Sequence, residues 1–277
     1  MAIQLAEKYE KYVDEIFTKE SRLSLLTNND FEFTGAKTVN VYKISTASMN
    51  DYDRLGTGSN ASRYGAVQSL DATTEDFTLT KDRSFTFAID KLDQDETGDN
   101  LNAASALARQ QRAVIIPEID SYVYGVMATE AGHKPTAKTL TAANIYDEIT
   151  AANEALDDDL VPETDRCIVV TPEVYRFMKQ SDEIAKNSDI GADLRKKGVV
   201  MVLDGCNVIK VPAARLPEDF GFMVAHPCAT VAPVKLADYK VHEDPPGING
   251  DLVEGRVVYD AFVLDNKAAA IYYQAVE

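Results

Sequence analysis

Cysteine and histidine are scarce in this chain, three of each in 277 residues. Cys167, Cys206 and Cys228 stand far apart in apolar, strand-like contexts such as RCIVV, without the close spacing of a zinc site or a disulfide framework. They read as small buried apolar residues. A catalytic thiol needs a histidine partner, and no motif places His133, His226 or His242 as a base or as a metal ligand. The strings G-x-S-x-G, H-E-x-x-H, C-x-x-C and G-K-[ST] are absent too, which leaves the motif-defined enzyme classes without support. Neither an enzyme nor a cofactor is expected. No apolar run approaches the ~20 residues that cross a bilayer, and MAIQLAEKYEKYVDE has no continuous apolar core of the secretory kind. The expectation is a chain made in the cytoplasm, with no membrane partner. Positive charge is short as well: 28 basic against 45 acidic residues leave a net charge of −17. An acidic surface repels phosphate, which excludes a general nucleic-acid binder but not a protein that surrounds nucleic acid without gripping it.

Three fragments of chemistry stand out and each has a plainer reading. GTGSN at 56–60 holds G-x-G without a strand-to-helix context, so it reads as a loop. DQDETGD opens like a calcium loop with Asp93, Asp95, Thr97 and Gly98, but its twelfth position is Ala104 where a bidentate Glu is required. An acidic turn at a helix start accounts for it. The run Asp157 to Asp159 is a solvated helix end. A metal-dependent enzyme using Asp93, Asp95 and Asp99 is a remote alternative, and a surface adhesin resting on the polar loop at 50–66 is a weaker one.

What the chain has in quantity is core-forming sequence: 45% hydrophobic and 26% charged residues, over a length that suits one elaborate domain or two small ones. Its organising stretch is 99–132, where Leu101, Ala104, Ala108, Ile115, Ile119, Tyr122 and Val126 recur at helical spacings. Such a helix runs on the order of 50 Å, far beyond the ordinary three turns, and reads as a spine. Pro117 lies inside the stripe, removing one backbone donor and clashing with the Ala113 carbonyl, so a kink is expected there.

Ahead of the spine, 2–17 reads as an amphipathic helix with Leu5, Tyr9, Tyr12, Val13 and Ile16 on one side, followed by an extended arm, SRLSLLTNNDFEFTG. KTVNVYKIS and FTLTKDRSFTFAID are expected to pair as the legs of one long hairpin. The roughly thirty polar residues between them are either disordered or ordered by a neighbouring subunit. Beyond the spine, a helix is expected at about 141–157 with Thr141 as N-cap, then a buried strand CIVV and a helix TPEVYRFMKQ capped by Thr171. Next come a hairpin across Asp204-Gly205 and a strand GFMVAHP, making 141–231 a compact α+β unit. The tail strands KLADYKVHE, LVEGRVVYDAFVLD and AAAIYYQAV are expected as a three-stranded meander on the spine.

This order of parts resembles the major capsid protein of tailed bacteriophages, the Hong Kong ninety-seven type fold. Four local phrases share the resemblance: DRSFTFAID at 82–90, RAVIIPEIDSYVYG at 112–125, VVTPEVYRFMK at 169–179 and VEGRVVYDAFVLDNKAAAIYY at 253–273. The resemblance implies an α+β fold with an N-terminal arm at 1–35, an extended loop at 36–90, a peripheral domain with the spine at 91–140 and 232–277, and an axial domain at 141–231. It implies a virion protein assembled in the host cytoplasm, with copies of itself as partners in pentamers and hexamers around double-stranded DNA. Scaffold, portal and decoration proteins are the further partners it implies. Tyr9, Tyr12 and Phe17 of the arm and Tyr52, Arg54, Arg63 and Tyr64 of the loop are then expected at intersubunit contacts. Pro117 becomes the point where the spine bends as a shell changes curvature. An encapsulin-like compartment is the alternative within the same fold. Some members of the family lock the shell through a loop lysine bonded to an asparagine; here no lysine occurs between Lys43 and Lys81, so no such cross-link is expected. The family's cleavable N-terminal scaffold segment is not expected either, since the arm follows Met1 within about twenty-five residues.

Overall fold

The computed structural model describes residues 21–28, 31, 38–56, 62–96, 102–181 and 199–277. The helix expected over 2–17, with Tyr9, Tyr12 and Phe17, lies outside them, as do 97–101 and most of GTGSN. The chain divides into two units, 32–79 and the remainder, 1–31 with 80–277.

The smaller unit is a two-stranded antiparallel ribbon, β1 (Thr38–Ile44) on β2 (Ala72–Thr78), with Val41 opposite Glu75 and Thr38 opposite Thr78. The second leg is therefore not FTLTKDRSFTFAID as expected. ATTEDFT shows no apolar alternation, so its strand character was hidden; β-branched threonines and backbone pairing build it. The Thr38 and Thr78 hydroxyls meet at 2.8 Å and Lys43 pairs with Glu75 at 3.0 Å across the ribbon.

The larger unit begins with β3 (Lys81–Asp90), then α1 (Lys91–Glu96), and α2 (Ala103–Gln110). A π turn, Gln111–Ile115, leads directly into α3 (Ile116–Glu130). The spine is thus helical without a gap from 103 to 130. Its irregularity falls immediately before Pro117. With no N–H at Pro117 to serve the Ala113 carbonyl, the backbone widens by one residue, and the Ile116 N–H bonds Gln111 O in the i to i+5 manner. The face that is sealed differs from the expected stripe: Asp120, Val123, Tyr124, Met127 and Ala128 are buried, whereas Ile119, Tyr122 and Val126 are half-buried and Ala104 is exposed. Packing on two sides moves the buried centre by one residue, and a polar Asp inside it masks the period.

Next come α4 (Ile145–Asp158), β4 (Cys167–Val170), α5 (Pro172–Gln180), β5 (Val199–Leu203), β6 (Cys206–Lys210), β7 (Phe220–Ala225) and β8 (Thr230–Val231). The chain closes with β9 (Val234–Glu243), β10 (Gly250–Tyr259), β11 (Phe262–Val263) and β12 (Ile271–Ala275). Local chemistry explains several of these. Thr171 accepts the Val174 N–H at 3.2 Å to start α5. Asp204 and Gly205, at φ +48° and +76°, turn β5 back on β6. For α4, Thr141 is not the cap. Its N–H and hydroxyl donate to Asn144 Oδ1 at 2.7 and 3.0 Å, forming a turn before a helix that starts at Ile145.

Among the described residues the unit has two main sheets, beside the short antiparallel pair β8-β11. A five-stranded sheet runs β12-β7-β4-β6-β5, and a three-stranded sheet runs β3-β10-β9. The expected tail meander is corrected: β9 and β10 pair, but β12 crosses to the five-stranded sheet and β3 takes the free edge of β10. Ile271, Tyr272 and Gln274 of β12 are all buried, a demand that only a sheet covered on both faces meets. Ile149, Leu156, Val174 and Met178 cover one face over Ile168, Val208 and Phe222. On the other, α3 contributes Val123, Tyr124 and Met127 to a core with Val169, Ile209 and Met223, which Leu23 and Leu26 also enter. At the far end of the spine Ala103, Ala106 and Leu107 pack on Ile89, Phe85, Phe87 and Val253. Gly255 is required there, since a Cβ would stand 2.3 Å from the Phe85 ring.

Candidate functional site

The feature that calls for a function is the surface of the small unit. A two-stranded ribbon has one layer and buries little of either face. Its side chains follow: Tyr42, Ile44, Met49, Tyr52, Leu55, Tyr64, Val67 and Leu70 are all exposed, Met49 at 98% and Val67 at 92%. The whole larger unit contributes five such side chains among the described residues, so exposed apolar surface is concentrated on the ribbon and its connecting segment.

That segment has order of its own. Asp53 Oδ1 accepts the N–H groups of Leu55 and Gly56 at 3.0 and 2.8 Å, an Asx-type turn, and the Asp53 N–H donates to Arg63 O at 2.9 Å. Gly56 and Gly65 take positive φ, +66° and +89°. The result brings Tyr52 against Tyr64 edge to face, ring centroids 5.0 Å apart. Of the expected intersubunit residues, then, Tyr52 and Tyr64 form one aromatic pair, and Arg54 and Arg63 are exposed on the same segment. Sequence reasoning passed over Met49, Leu55, Val67 and Leu70, whose signal was single large apolar residues in an otherwise polar stretch.

Several of the groups that might have carried chemistry are occupied structurally. Burial pushes the Cys167 thiol up to about 12 and the Cys206 thiol up to about 11, away from thiolate chemistry. Asp157 pairs with the buried Arg166 at 2.7 Å, and Asp159 meets His133 Nε2 at 2.6 Å. His226 Nδ1 accepts the Cys228 N–H at 3.1 Å, and burial lowers its proton affinity. Among the described residues no three His, Cys, Asp or Glu side chains converge as metal ligands, and no helix is long and apolar enough to cross a membrane.

Two buried carboxylates were invisible in the sequence. Asp120, on α3, accepts from Arg215 Nη1 at 2.7 Å and from the Ser21 hydroxyl at 2.6 Å, holding the first described residues onto the spine. Asp260 accepts from the Thr80 N–H and hydroxyl at 2.6 and 2.8 Å, from the Tyr122 hydroxyl at 2.7 Å and from the Ala261 N–H at 2.9 Å. Burial and that carboxylate push the Tyr122 phenol up to about 12.

No protein-family model matches the sequence, and no curated protein matches it. Solved structures do. A structure from Mycobacterium phage Che8 is 18% identical with a TM-score of 0.74, over 98% of this chain and 96% of that one. The capsid structure of cyanophage P-SCSP1u is 15% identical with a TM-score of 0.75, over 98% and 92% of the two chains. The capsid of Myoviridae phage XM1 is 15% identical with a TM-score of 0.63, over 100% and 99%. The likeness spans ribbon, spine and both sheets, so the chain has the fold of phage capsid proteins, the Hong Kong ninety-seven type.

Proposed function

We propose that this chain is the major capsid protein of a tailed phage, a structural subunit that assembles into the pentamers and hexamers of an icosahedral head around double-stranded DNA. The observation that carries this reading is the apolar surface of the ribbon unit, eight large exposed side chains between Tyr42 and Leu70 with too little structure beneath them to form a core. Apolar surface of this kind gains stability when another copy covers it, and a closed symmetric lattice covers every copy at once. The capsid structures that share the fold support the same reading over an encapsulin-like compartment.

On this proposal Tyr52, Arg54, Arg63 and Tyr64 contact a neighbouring subunit, and so do Tyr9, Tyr12 and Phe17 of the arm. The ribbon is the extended loop, β3-β10-β9 with the spine forms the peripheral domain, and α4, α5 and the five-stranded sheet form the axial domain, which moves β3 out of the loop expected at 36–90 and β12 out of the peripheral segment expected at 232–277. The π turn before Pro117 is where the spine adapts as the shell changes curvature. The role is structural rather than enzymatic, and the net charge of −17 keeps the wall from binding the DNA it encloses. The test is the assembly state of purified protein. Closed shells or capsomers in negative-stain images are expected, while a monomer at every concentration in light scattering overturns the reading.

A further inference from the structure

Leu160 sits in a backbone conformation that leucine rarely adopts. Helix α4 ends in a Schellman turn: the Val161 N–H bonds Leu156 O at 3.0 Å and the Leu160 N–H bonds Asp157 O at 2.9 Å. The residue between must turn left-handed, a place for glycine, and Leu160 does so at φ +57°. The other non-glycine residues at positive φ among the described residues, Asp165, Asp204, Asp219 and Asp244, are all of a type that tolerates it. Leucine is tolerated where its side chain is buried and repays the strain; Leu160 is 89% exposed, the most exposed large apolar side chain described in the larger unit. It is also held out firmly. Arg166, itself 2% exposed, donates to Val161 O at 2.6 Å and Pro162 O at 2.9 Å and pairs with Asp157, while His133 holds Asp159.

A strained, rigidly displayed apolar side chain that gives its own subunit no burial points to a contact outside that subunit. Its surroundings select the partner. Residues flanking it in the chain line a hollow of about 660 Å³ in which Glu154, Asp157, Asp158, Glu163 and Asp204 outweigh Arg166. In this acidic chain three consecutive basic residues occur once, Arg195-Lys196-Lys197, directly after Leu194. We propose that Leu160 and the carboxylates about it receive a second copy of this chain, whose segment 194–197 brings an apolar residue to Leu160 and its basic run to the acidic hollow. The inference rests on the shell reading and names one of its contacts.

Leu160→Gly separates the two roles that Leu160 can have. Relief of the left-handed strain leaves the melting temperature of the isolated subunit unchanged or raises it by ~2 °C, while shell yield falls about tenfold, the usual cost of losing one interface anchor. Lys196→Glu with Lys197→Glu lowers shell yield in the same way, and adding Asp158→Lys to that pair recovers part of it. Unchanged yield in Leu160→Gly overturns the proposal, and so does a melting temperature several degrees lower, which makes Leu160 a residue of the subunit's own fold. If the Lys196→Glu and Lys197→Glu pair destabilises the isolated subunit and leaves assembly alone, the basic run serves its own copy and the proposal falls. Failure of the shell reading is distinct, because the wild-type protein itself then stays monomeric.

Discussion

In the five-stranded sheet Ile168, Val169, Phe222 and Val224 are fully sealed from water, whereas on the ribbon unit Met49, Leu55 and Val67 stand almost wholly in it. The two regions draw on the same residue types. The sheet has helices on one face and the spine on the other, so each apolar side chain finds neighbours within its own subunit. The ribbon unit has little second layer: Phe77 and Leu79 are buried, while Tyr42, Ile44, Met49, Leu55, Val67 and Leu70 stay exposed. The difference separates the part of the chain that covers its own apolar surface from the part that leaves it in water, which on the proposed reading another copy covers.

The sharpest way to break that comparison is to open the sealed side. Phe222→Ala leaves a cavity between the five-stranded sheet and the helices α4 and α5 and is expected to cost the isolated subunit about 3–5 kcal/mol in urea unfolding. Met49→Ala on the ribbon stays within about 0.5 kcal/mol in the same measurement. Next comes the buried pair Asp120 and Arg215, at 2.7 Å with both side chains under a tenth exposed. Arg215→Ala strands the Asp120 carboxylate and is expected to cost at least about 3 kcal/mol, while Asp120→Asn with Arg215→Met recovers most of it in a double-mutant cycle.

On the exposed side the expected effect moves from folding to assembly. Tyr52→Ala with Tyr64→Ala removes the aromatic pair, leaves the subunit's melting temperature alone and reduces shell yield by roughly tenfold, read by size-exclusion chromatography. A smaller effect is expected from pH. Burial holds His226 below its ordinary 6.5, so the unfolded chain takes up a proton before the folded one does. The stabilisation from neutral His226 is full above about pH 6.5 and is lost as pH falls towards the lowered folded value. His226→Gln is expected to flatten that segment of the pH–stability curve. The smallest expected change is none at all: with no lysine between Lys43 and Lys81, assembled shells boiled in detergent should run as the single chain, and a ladder of cross-linked subunits would contradict it.

Much of the fold was legible because it is written locally. The apolar spacing of Ile145, Ile149, Ala152 and Leu156, the Thr171-Pro172 helix start and the Asp204-Gly205 turn each act within a few residues of themselves, and all are found where local chemistry places them. The proline inside the spine was legible as a defect, while its form, a π turn and not a break, depended on what the surrounding helix could absorb. The candidate surface was half legible. Tyr52 and Tyr64 were singled out, but nothing local tells whether a lone Met49 or Val67 in a polar stretch will be covered.

By itself the sequence determined the helices α4 and α5, the β5-β6 turn, the long spine and the acidic balance of the chain. Tertiary structure alone decided which strands distant in the chain meet. It paired ATTEDFT with β1, gave DRSFTFAID to β10 and sent the last strand to β7, and it buried Asp120 and Asp260 where partners 95 and 180 residues away supply their hydrogen bonds. The physical reason is that periodicity reports which side chains seek an apolar medium, whereas backbone N–H and C=O groups are alike at nearly every residue. A strand therefore carries the need for a neighbour but not its identity, and only the packing of the whole chain supplies one.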